Sequence, residues 1–259
     1  MTVSDLDGLR KASPDTGFDA TTGIVQYLRR RKDTDELAAI REAVALTDRT
    51  CTHLMEWLRP GMSELDVAWE IEVFVRTHGG EGLAFPSSVA SGPNASLPHA
   101  EPSDRLIQIG EPITIDMGAR VRGYCSDLTR TFCFGEPDAR FQDLYALVLR
   151  AQTAAEKGVR AGMRGVDADA LARNVISEAG YGSQFGHSLG HGVGLMIHEG
   201  PSLSALSKDT LASGEVVTIE PGIYVPGWGG IRIEDTVVIT ELGIEILTQS
   251  TKDPKLPLR

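Results

Sequence analysis

Four acidic residues lie within or at the ends of otherwise apolar stretches of the sequence, at Asp116, Asp127, Glu220 and Glu234. A carboxylate in such a position is costly unless it is paired or binds a cation. Together with one histidine, these acids would form an oxygen-rich site with a single nitrogen ligand. That set suits two divalent ions of the manganese, cobalt, iron or zinc kind better than it suits structural zinc. Two ions about 3.5–4 Å apart would hold a water molecule and lower its pKa towards neutrality.

The histidine is expected from a glycine-rich passage over residues 186–201, which holds His187, His191 and His198. Glycine opposes a helix because each one costs roughly 1 kcal/mol relative to alanine. The passage therefore predicts a tight backbone that turns imidazoles towards one point. The alternative is a turn whose histidines are only hydrogen-bonded polar groups, and on this passage alone it is the better interpretation.

Other candidate residues receive structural interpretations. Asp235 follows Glu234 directly, so its side chain should point to the opposite face of a strand. Cys125 is predicted to be a small core residue, because a thiolate matches hard oxygen ligands poorly. Two further histidines lie in predicted helices and are assigned to the surface or to packing: His53 and His78. An aromatic stripe is assigned to the core: Trp57, Trp69 and Phe74.

Periodicity predicts the elements that must position these groups. In the first half, helices are expected over residues 33–58 and 63–78, the latter capped by Ser63 and Asp66, with Leu65 and Trp69 on its buried stripe. A loop over 85–99 and strands over 113–116 and 124–134 follow. In the second half, helices are expected over 140–159 and 166–178, and strands over 216–220, 231–240 and 244–248.

The two halves repeat one another. Residues 59–62 resemble 160–163, residues 99–103 resemble 198–202, and residues 110–116 resemble 214–220. Three matches in the same order predict an α+β fold of two ααβ halves related by a pseudo-twofold axis, with a cleft between them. The repeat also aligns Asp116 with Glu220, which is why the metal hypothesis outweighs the structural one.

The chain has 259 residues and a net charge of −11, which argues against nucleic acid or an anionic membrane as a partner. Three cysteines without paired spacing indicate a reducing compartment. No secretory signal or apolar run of membrane-spanning length is visible, so the cytoplasm is expected. Residues 1–32 are interpreted as a leader or linker remnant with a short strand or helix at Ile24–Leu28. The main domain is predicted over 33–250, with halves 33–137 and 138–250, and a tail over 251–259.

A resemblance to one known family runs from about residue 33 to residue 247 and rests on five motifs: Ile115–Gly118, Tyr124–Thr131, Gly190–Gly194, Thr218–Tyr224 and Arg232–Asp235. The sequence resembles metallopeptidases of the pita-bread fold, in the Xaa-Pro aminopeptidase and Xaa-Pro dipeptidase (prolidase) branch. The resemblance implies two ααβ halves around a curved antiparallel sheet. It also implies that Asp116 holds one metal, that His191 and Glu220 hold the other, and that Asp127 and Glu234 bridge both.

The resemblance further implies metal-dependent hydrolysis of the first peptide bond of a short peptide, preferentially before proline. Glu220 would shuttle a proton, His198 would stabilise the oxyanion, and His99 would contact the substrate or the leaving nitrogen. His187 and Arg232 would orient the ligands, and Tyr224 matches another supporting position. Trp228 is a candidate for the wall of a proline pocket, with an exposed loop tip or a subunit contact as the alternatives.

Two other functions stay open at this point. Methionine aminopeptidases have the same five ligand types, although Ser91–Asn94 before Pro98–His99 favours the prolyl branch. A non-catalytic peptide-binding protein of this fold is the other alternative, which the five filled ligand positions weaken. The Xaa-Pro enzymes usually carry an N-terminal domain that contributes to assembly, whereas only about 32 residues precede the first predicted helix here. A homodimer therefore remains only a possible assembly.

Overall fold

The computed structural model describes residues 1–258, which form six α-helices and fourteen short strands. The helices are α1 Val3–Ala12, α2 Ile24–Arg30, α3 Thr34–Trp57, α4 Glu64–Thr77, α5 Ala139–Gly158 and α6 Gly165–Glu178. The strands are β1 Gly82–Leu83, β2 Ser88–Ser91, β3 Ile113–Met117, β4 Ala119–Val121, β5 Tyr124–Cys125, β6 Leu128–Phe134, β7 Gly190–Gly192, β8 Glu199–Leu203, β9 Val216–Ile219, β10 Gly222–Val225, β11 Gly229–Arg232, β12 Asp235–Ile239, β13 Ile244–Ile246 and β14 Lys255–Leu256.

Two sheets carry the internal repeat that the sequence predicts. One has four strands in the order β14-β6-β3-β2, and the other has five in the order β13-β12-β9-β7-β8. The antiparallel trio β2, β3 and β6 corresponds to the antiparallel trio β7, β9 and β12. Each half places two helices before its sheet. The α+β class and the ααβ repeat are therefore confirmed.

The predicted curved sheet is formed by these two sheets together. They contact each other where β6 lies beside β11 and β12. The main-chain N–H of Glu234 donates to the carbonyl of Thr129 at 3.1 Å, and the hydroxyl of Thr236 donates to the carbonyl of Asp127 at 2.8 Å. The predicted continuous strands over 124–134 and 231–240 were wrong, because each is interrupted where the chain leaves a hairpin to join a sheet. Both interruptions lie at an acid, Asp127 and Glu234.

Each half has its own apolar core beneath its helices. In the first half, residues such as Ile71 and Phe132 are buried between α3, α4 and the four-stranded sheet. In the second half, Val148 and Ile219 belong to the core that α5 and α6 cover. The predicted cap of α4 is confirmed, since Ser63 accepts from the N–H of Asp66 while the Asp66 carboxylate accepts from the N–H of Ser63.

The buried stripe predicted for α4 was wrong by one residue. Leu65 is 46% and Trp69 66% exposed, whereas Glu64, Val67 and Ile71 are fully buried. The carboxylate of Glu64 determines this orientation by accepting hydrogen bonds from the loop that follows. Its donors are the N–H and hydroxyl groups of Ser91 and Ser103 and the side-chain amide of Asn94.

The packing roles predicted for two histidines are confirmed. His53 and His78 stack on either side of Phe74, with ring centroids 4.4 and 3.8 Å away. Trp57 is partly buried and packs against the first core, as predicted. The predicted loop over 85–99 was too simple, because it contains β2 and a 3-10 turn at Gly92–Ser96.

The segment interpreted as a leader contains α1 and α2, and the second of these helices coincides with the predicted element at Ile24–Leu28. Arg30 joins α2 to the second half through Glu215 and Asp209, at 2.7 and 2.8 Å. The predicted tail contains β14, which pairs in parallel with β6. No helix within residues 1–258 is both long and apolar enough to cross a membrane.

Candidate metal centre

Three carboxylates meet at the junction of the two sheets. Asp116 lies in β3, while Asp127 precedes β6 and Glu234 precedes β12 directly. One oxygen from each lies within 4.8 Å of the others, in the geometry of a possible metal site. Asp116 Oδ1 and Glu234 Oε1 are buried and have no hydrogen-bond partner. Because an unpartnered buried carboxylate oxygen is costly, these two oxygens fit a bound cation.

His191 and Glu220 lie beside this group. Nε2 of His191 is 3.4 Å from Asp127 Oδ2 and 3.3 Å from Glu220 Oε1. The other ring nitrogen, Nδ1, lies 3.1 Å from the carbonyl of Gly192, which assigns the ring proton to Nδ1. The lone pair of Nε2 therefore faces the carboxylates, as a metal ligand requires. Thr218 donates its hydroxyl to Glu220 at 2.9 Å and thereby fixes that side chain.

The crowding of these acids shifts their ionisation. Burial, and then the charges of Glu234 and Asp116, raise the pKa of Asp127 well above its usual range. Burial, followed by the charges of Glu220 and Asp116, does the same to the pKa of Glu234. Burial raises the pKa of Glu220 to about 7. Like charges this close cannot all ionise unless positive charge is added, so the arrangement suits divalent cations.

Arg232 supports the cluster from behind and is itself buried. Its Nη2 donates to Asp116 Oδ2 at 2.7 Å, and its Nε donates to the hydroxyl of Thr129 at 2.9 Å. Thr129 in turn donates to Glu234 Oε2 at 2.7 Å. Arg232 therefore fixes one acid directly and a second through a hydroxyl group.

A directed chain of hydrogen bonds leads from Arg232 to His187. Nη1 of Arg232 donates to the hydroxyl of Tyr224 at 2.8 Å, and that hydroxyl lies 2.8 Å from Nε2 of His187. Nδ1 of His187 lies 2.8 Å from the carbonyl of Ser188, so the proton of a neutral ring belongs there. Burial, with the charge of Arg232, lowers the pKa of His187 to about 3. The ring is therefore neutral, and Tyr224 donates to it.

One cavity of about 290 Å³ brings the predicted site together. All five predicted metal ligands line it, as do His99, His187 and His198. The rings of His191 and His198 are 4.3 Å apart and nearly perpendicular. Arg232 and Tyr224 lie behind this wall, through the contacts described above. The halves therefore place their predicted residues around a shared cleft.

Sequence reasoning missed the apolar part of this wall, Phe85 and Ile197. Phe85 is the first residue of the predicted loop over 85–99, and Ile197 directly precedes His198. An aromatic residue next to proline at the end of that loop was the available signal. Trp228, by contrast, lies outside the cavity, where its ring stacks on the guanidinium of Arg140 at 4.8 Å. It also packs, partly buried, against the core of the second half, so the structure gives no support to the proline-pocket alternative for this residue.

A model of metallopeptidase family M24 matches residues 38–241. The chain belongs to metallopeptidase family M24. The chain is similar to the uncharacterized peptidase YqhT of Bacillus subtilis, which is 44% identical over 229 residues. That match covers 88% of this chain and 65% of YqhT, so the chain spans about two thirds of the length of such relatives.

Solved structures of M24 relatives share the fold over the whole chain. A Xaa-Pro dipeptidase from Bacillus anthracis is 43% identical with a TM-score of 0.95, and the match covers 100% of this chain and 72% of that one. An X-Pro aminopeptidase from Thermotoga maritima is 39% identical with a TM-score of 0.96, covering 100% and 73%. The pita-bread fold expected from the motifs is therefore confirmed.

Proposed function

We propose that this M24 protein hydrolyses the first peptide bond of short peptides, preferentially before proline, with two divalent metal ions. The observation that carries the proposal is the group formed by Asp116, Asp127 and Glu234, with two buried oxygens that have no partner. The similarity of the whole chain to proteins described as a Xaa-Pro dipeptidase and an X-Pro aminopeptidase supports the prolyl preference.

The donor set supports two ions of the manganese or cobalt kind, with zinc or iron as the other choices. Four carboxylates and one imidazole make a mostly hard ligand set, and thiolate is absent from the cavity wall. Asp116 would bind one ion, His191 and Glu220 the other, and Asp127 and Glu234 both. When bound, the ions would polarise the scissile carbonyl and activate a water molecule for attack.

Three side chains are placed to assist the reaction. Glu220, which lines the cavity beside His191, would accept a proton and pass it to the leaving nitrogen. His198 would donate a hydrogen bond to the oxyanion that develops on the carbonyl oxygen. His99 lines the cavity from the first half and would contact the substrate or its leaving nitrogen.

Three further residues would hold these groups in place. The hydrogen bonds from Arg232 through Tyr224 to His187 hold Asp116 at one end and His187, in the cavity wall, at the other. Because His187 is neutral and accepts from Tyr224, it adds no positive charge that would oppose metal binding. Loss of such supporting bonds typically costs ten- to a hundredfold in metal affinity or activity.

The apolar side of the cavity supports the prolyl preference. Phe85 and Ile197 face the same space as the acids. A pyrrolidine ring would gain by burying its methylene groups there, at roughly 0.8 kcal/mol for each one. Removal of N-terminal methionine is the second candidate reaction, but the relatives named above do not favour it.

The cysteines and the net charge support a compartment and a class of partner for the proposed reaction. Cys51, Cys125 and Cys133 are all free and buried, which supports a reducing compartment such as the cytoplasm. The net charge of −11 disfavours nucleic acid and anionic membranes as partners, which leaves short peptides and a second copy of the chain as the candidates.

The test is an assay of Xaa-Pro dipeptides and tripeptides after chelation and after addition of manganese or cobalt. We expect turnover that depends on the metal, exceeds that of Met-Ala peptides, and falls more than about a hundredfold in Asp127→Ala. Asp143→Ala, which removes an exposed acid of α5, is the matched control and should behave like wild type. Equal activity of Asp127→Ala and wild type, or no metal-dependent turnover, would reject the proposal.

A further inference from the structure

The carboxylate of Glu199 lies inside the loop that connects β7 to β8. Oε1 of Glu199 accepts a hydrogen bond from Nζ of Lys32 at 2.8 Å, and Oε2 accepts one from Nη2 of Arg29 at 2.7 Å. The N–H of Met196, within the loop, also points at Oε2 from 3.4 Å. The side chain of Lys32 is 1% exposed and that of Glu199 is 9% exposed. This ion pair is therefore enclosed by protein.

The same loop separates the two histidines that face each other in the cavity. Gly192 pairs with Glu199 in the sheet, so the loop leaves β7 just after His191 and returns to β8 just after His198. At Gly194, an added Cβ would lie 2.5 Å from the Glu199 carboxylate, so only glycine leaves room for it. This carboxylate therefore lies inside the loop whose last residue is His198.

The cations come from a segment that is anchored independently of Glu199. Arg30 forms ion pairs with Glu215 and Asp209, at 2.7 and 2.8 Å. The N–H of Lys32 donates to the carbonyl of Gly214 at 2.9 Å. Residues 29–32, here named the strap, therefore form a fixed support against which the loop is held.

We propose that Glu199 is a positioning residue that, held by Arg29 and Lys32 of the strap, sets the ring of His198 beside His191. The catalytic part of this inference rests on the proposed function, whereas its structural part does not. Buried ion pairs contribute little net stability compared with apolar replacements, so their value to a protein can lie in fixing one conformation. The segment at first interpreted as a leader thereby becomes part of the site's support.

The experiment separates positioning from stability. Glu199→Gln leaves both Lys32 and Arg29 without their carboxylate, and Lys32→Met leaves Glu199 with Arg29 as its remaining cation, so each is expected to lower Tm. The double variant removes the charges of Lys32 and Glu199 and leaves that of Arg29, whose side chain is 25% exposed, so its Tm should return towards that of wild type. Arg41→Met breaks an exposed ion pair with Glu245 at 2.6 Å and serves as the matched control.

We expect kcat to fall about tenfold or more in both single variants and to stay low in the double variant. KM and the number of bound metal ions should change little, because the ligands are untouched. Amide hydrogen exchange over residues 193–198 should become faster in all three variants and stay unchanged in Arg41→Met. Recovery of kcat together with Tm in the double variant would show a stability role only, and loss of metal in step with kcat would show a ligand role.

Hydrogen exchange also distinguishes failure of this inference from failure of the proposed function. If wild type turns over no peptide with any metal, the proposed function is wrong, yet exchange over 193–198 still reports on the strap. Unchanged exchange in Glu199→Gln and Lys32→Met would overturn the positioning role whatever the activity.

Discussion

Two acidic residues that are neighbours in the chain lie in opposite environments. Glu234 and Asp235 are each 1% exposed. Oε1 of Glu234 has no hydrogen-bond partner, whereas both oxygens of Asp235 are paired, one with Arg130 at 2.8 Å and the other with Lys252 at 2.6 Å. Burial is therefore equal on the two faces of the strand junction, and only the partners differ.

The balance of charges on the two faces distinguishes a structural ion-pair cluster from a cation-binding one. On the face of Asp235, two carboxylates oppose two cations: Asp235, Glu156, Arg130 and Lys252. We call this group the back cluster. On the cavity face, four carboxylates oppose one cation: Asp116, Asp127, Glu220, Glu234 and Arg232. We call this group the front cluster. The back cluster is complete without a ligand, whereas the front cluster has negative charge left for divalent ions.

The largest effect is expected in the back cluster. Asp235→Ala should lower the free energy of unfolding by about 3–5 kcal/mol, because it leaves Arg130 buried without its anionic partner. Urea denaturation of the metal-free protein measures this loss, with Asp143→Ala as the exposed control. A loss no larger than that of the control would show that the back cluster is not a closed ion-pair network.

The front cluster should respond with the opposite sign. Asp127→Asn should raise the free energy of unfolding of the metal-free protein at pH 8 by on the order of 1 kcal/mol, because it removes a crowded negative charge. Manganese should raise the Tm of wild type and have a much smaller effect on this variant. Destabilisation of metal-free Asp127→Asn would remove the contrast between the clusters.

An effect that depends on pH concerns Glu156 of the back cluster. Burial and the neighbouring Asp235 raise its pKa to about 7, although Lys252 opposes the shift. A raised carboxyl pKa means that the native state keeps a proton that the unfolded state releases, so wild type loses stability as pH rises from about 4.5 to 7. Glu156→Gln should remove that loss, which is at most about 3 kcal/mol across the window. Parallel pH dependence of both proteins would contradict the assigned shift.

The sequence predicted much of the fold and the front cluster because both depend on local signals. An acid that interrupts an apolar strand, a cap such as Ser63 with Asp66, and a repeated motif can each be recognised within a few residues. The internal repeat aligned Asp116 with Glu220, and this agreement favoured a metal site, which a single motif could not have done. Asp235 was assigned correctly to the opposite face by strand alternation alone.

The structural features that the sequence did not predict depend on contacts between residues that are distant along the chain. The face that α4 buries is decided by Glu64, whose donors Ser91 and Ser103 belong to a later loop, so periodicity alone misplaced Trp69. Phe85 reaches the cavity only because β2 and the following turn fold back towards the front cluster. The role of the strap depends on Glu199, which the run of cations at residues 29–32 does not indicate by itself.

Strand β14 has a consequence for the order of folding. It forms one edge of the four-stranded sheet by pairing Lys255 with Cys133 and Leu256 with Phe134. Pairings between such distant residues form slowly, and an uncovered strand edge can pair with other molecules. During synthesis, β6 emerges from the ribosome long before β14 and must wait with that edge open. Covering this edge is therefore a late step, and until then the edge of β6 is open to pairing with another chain.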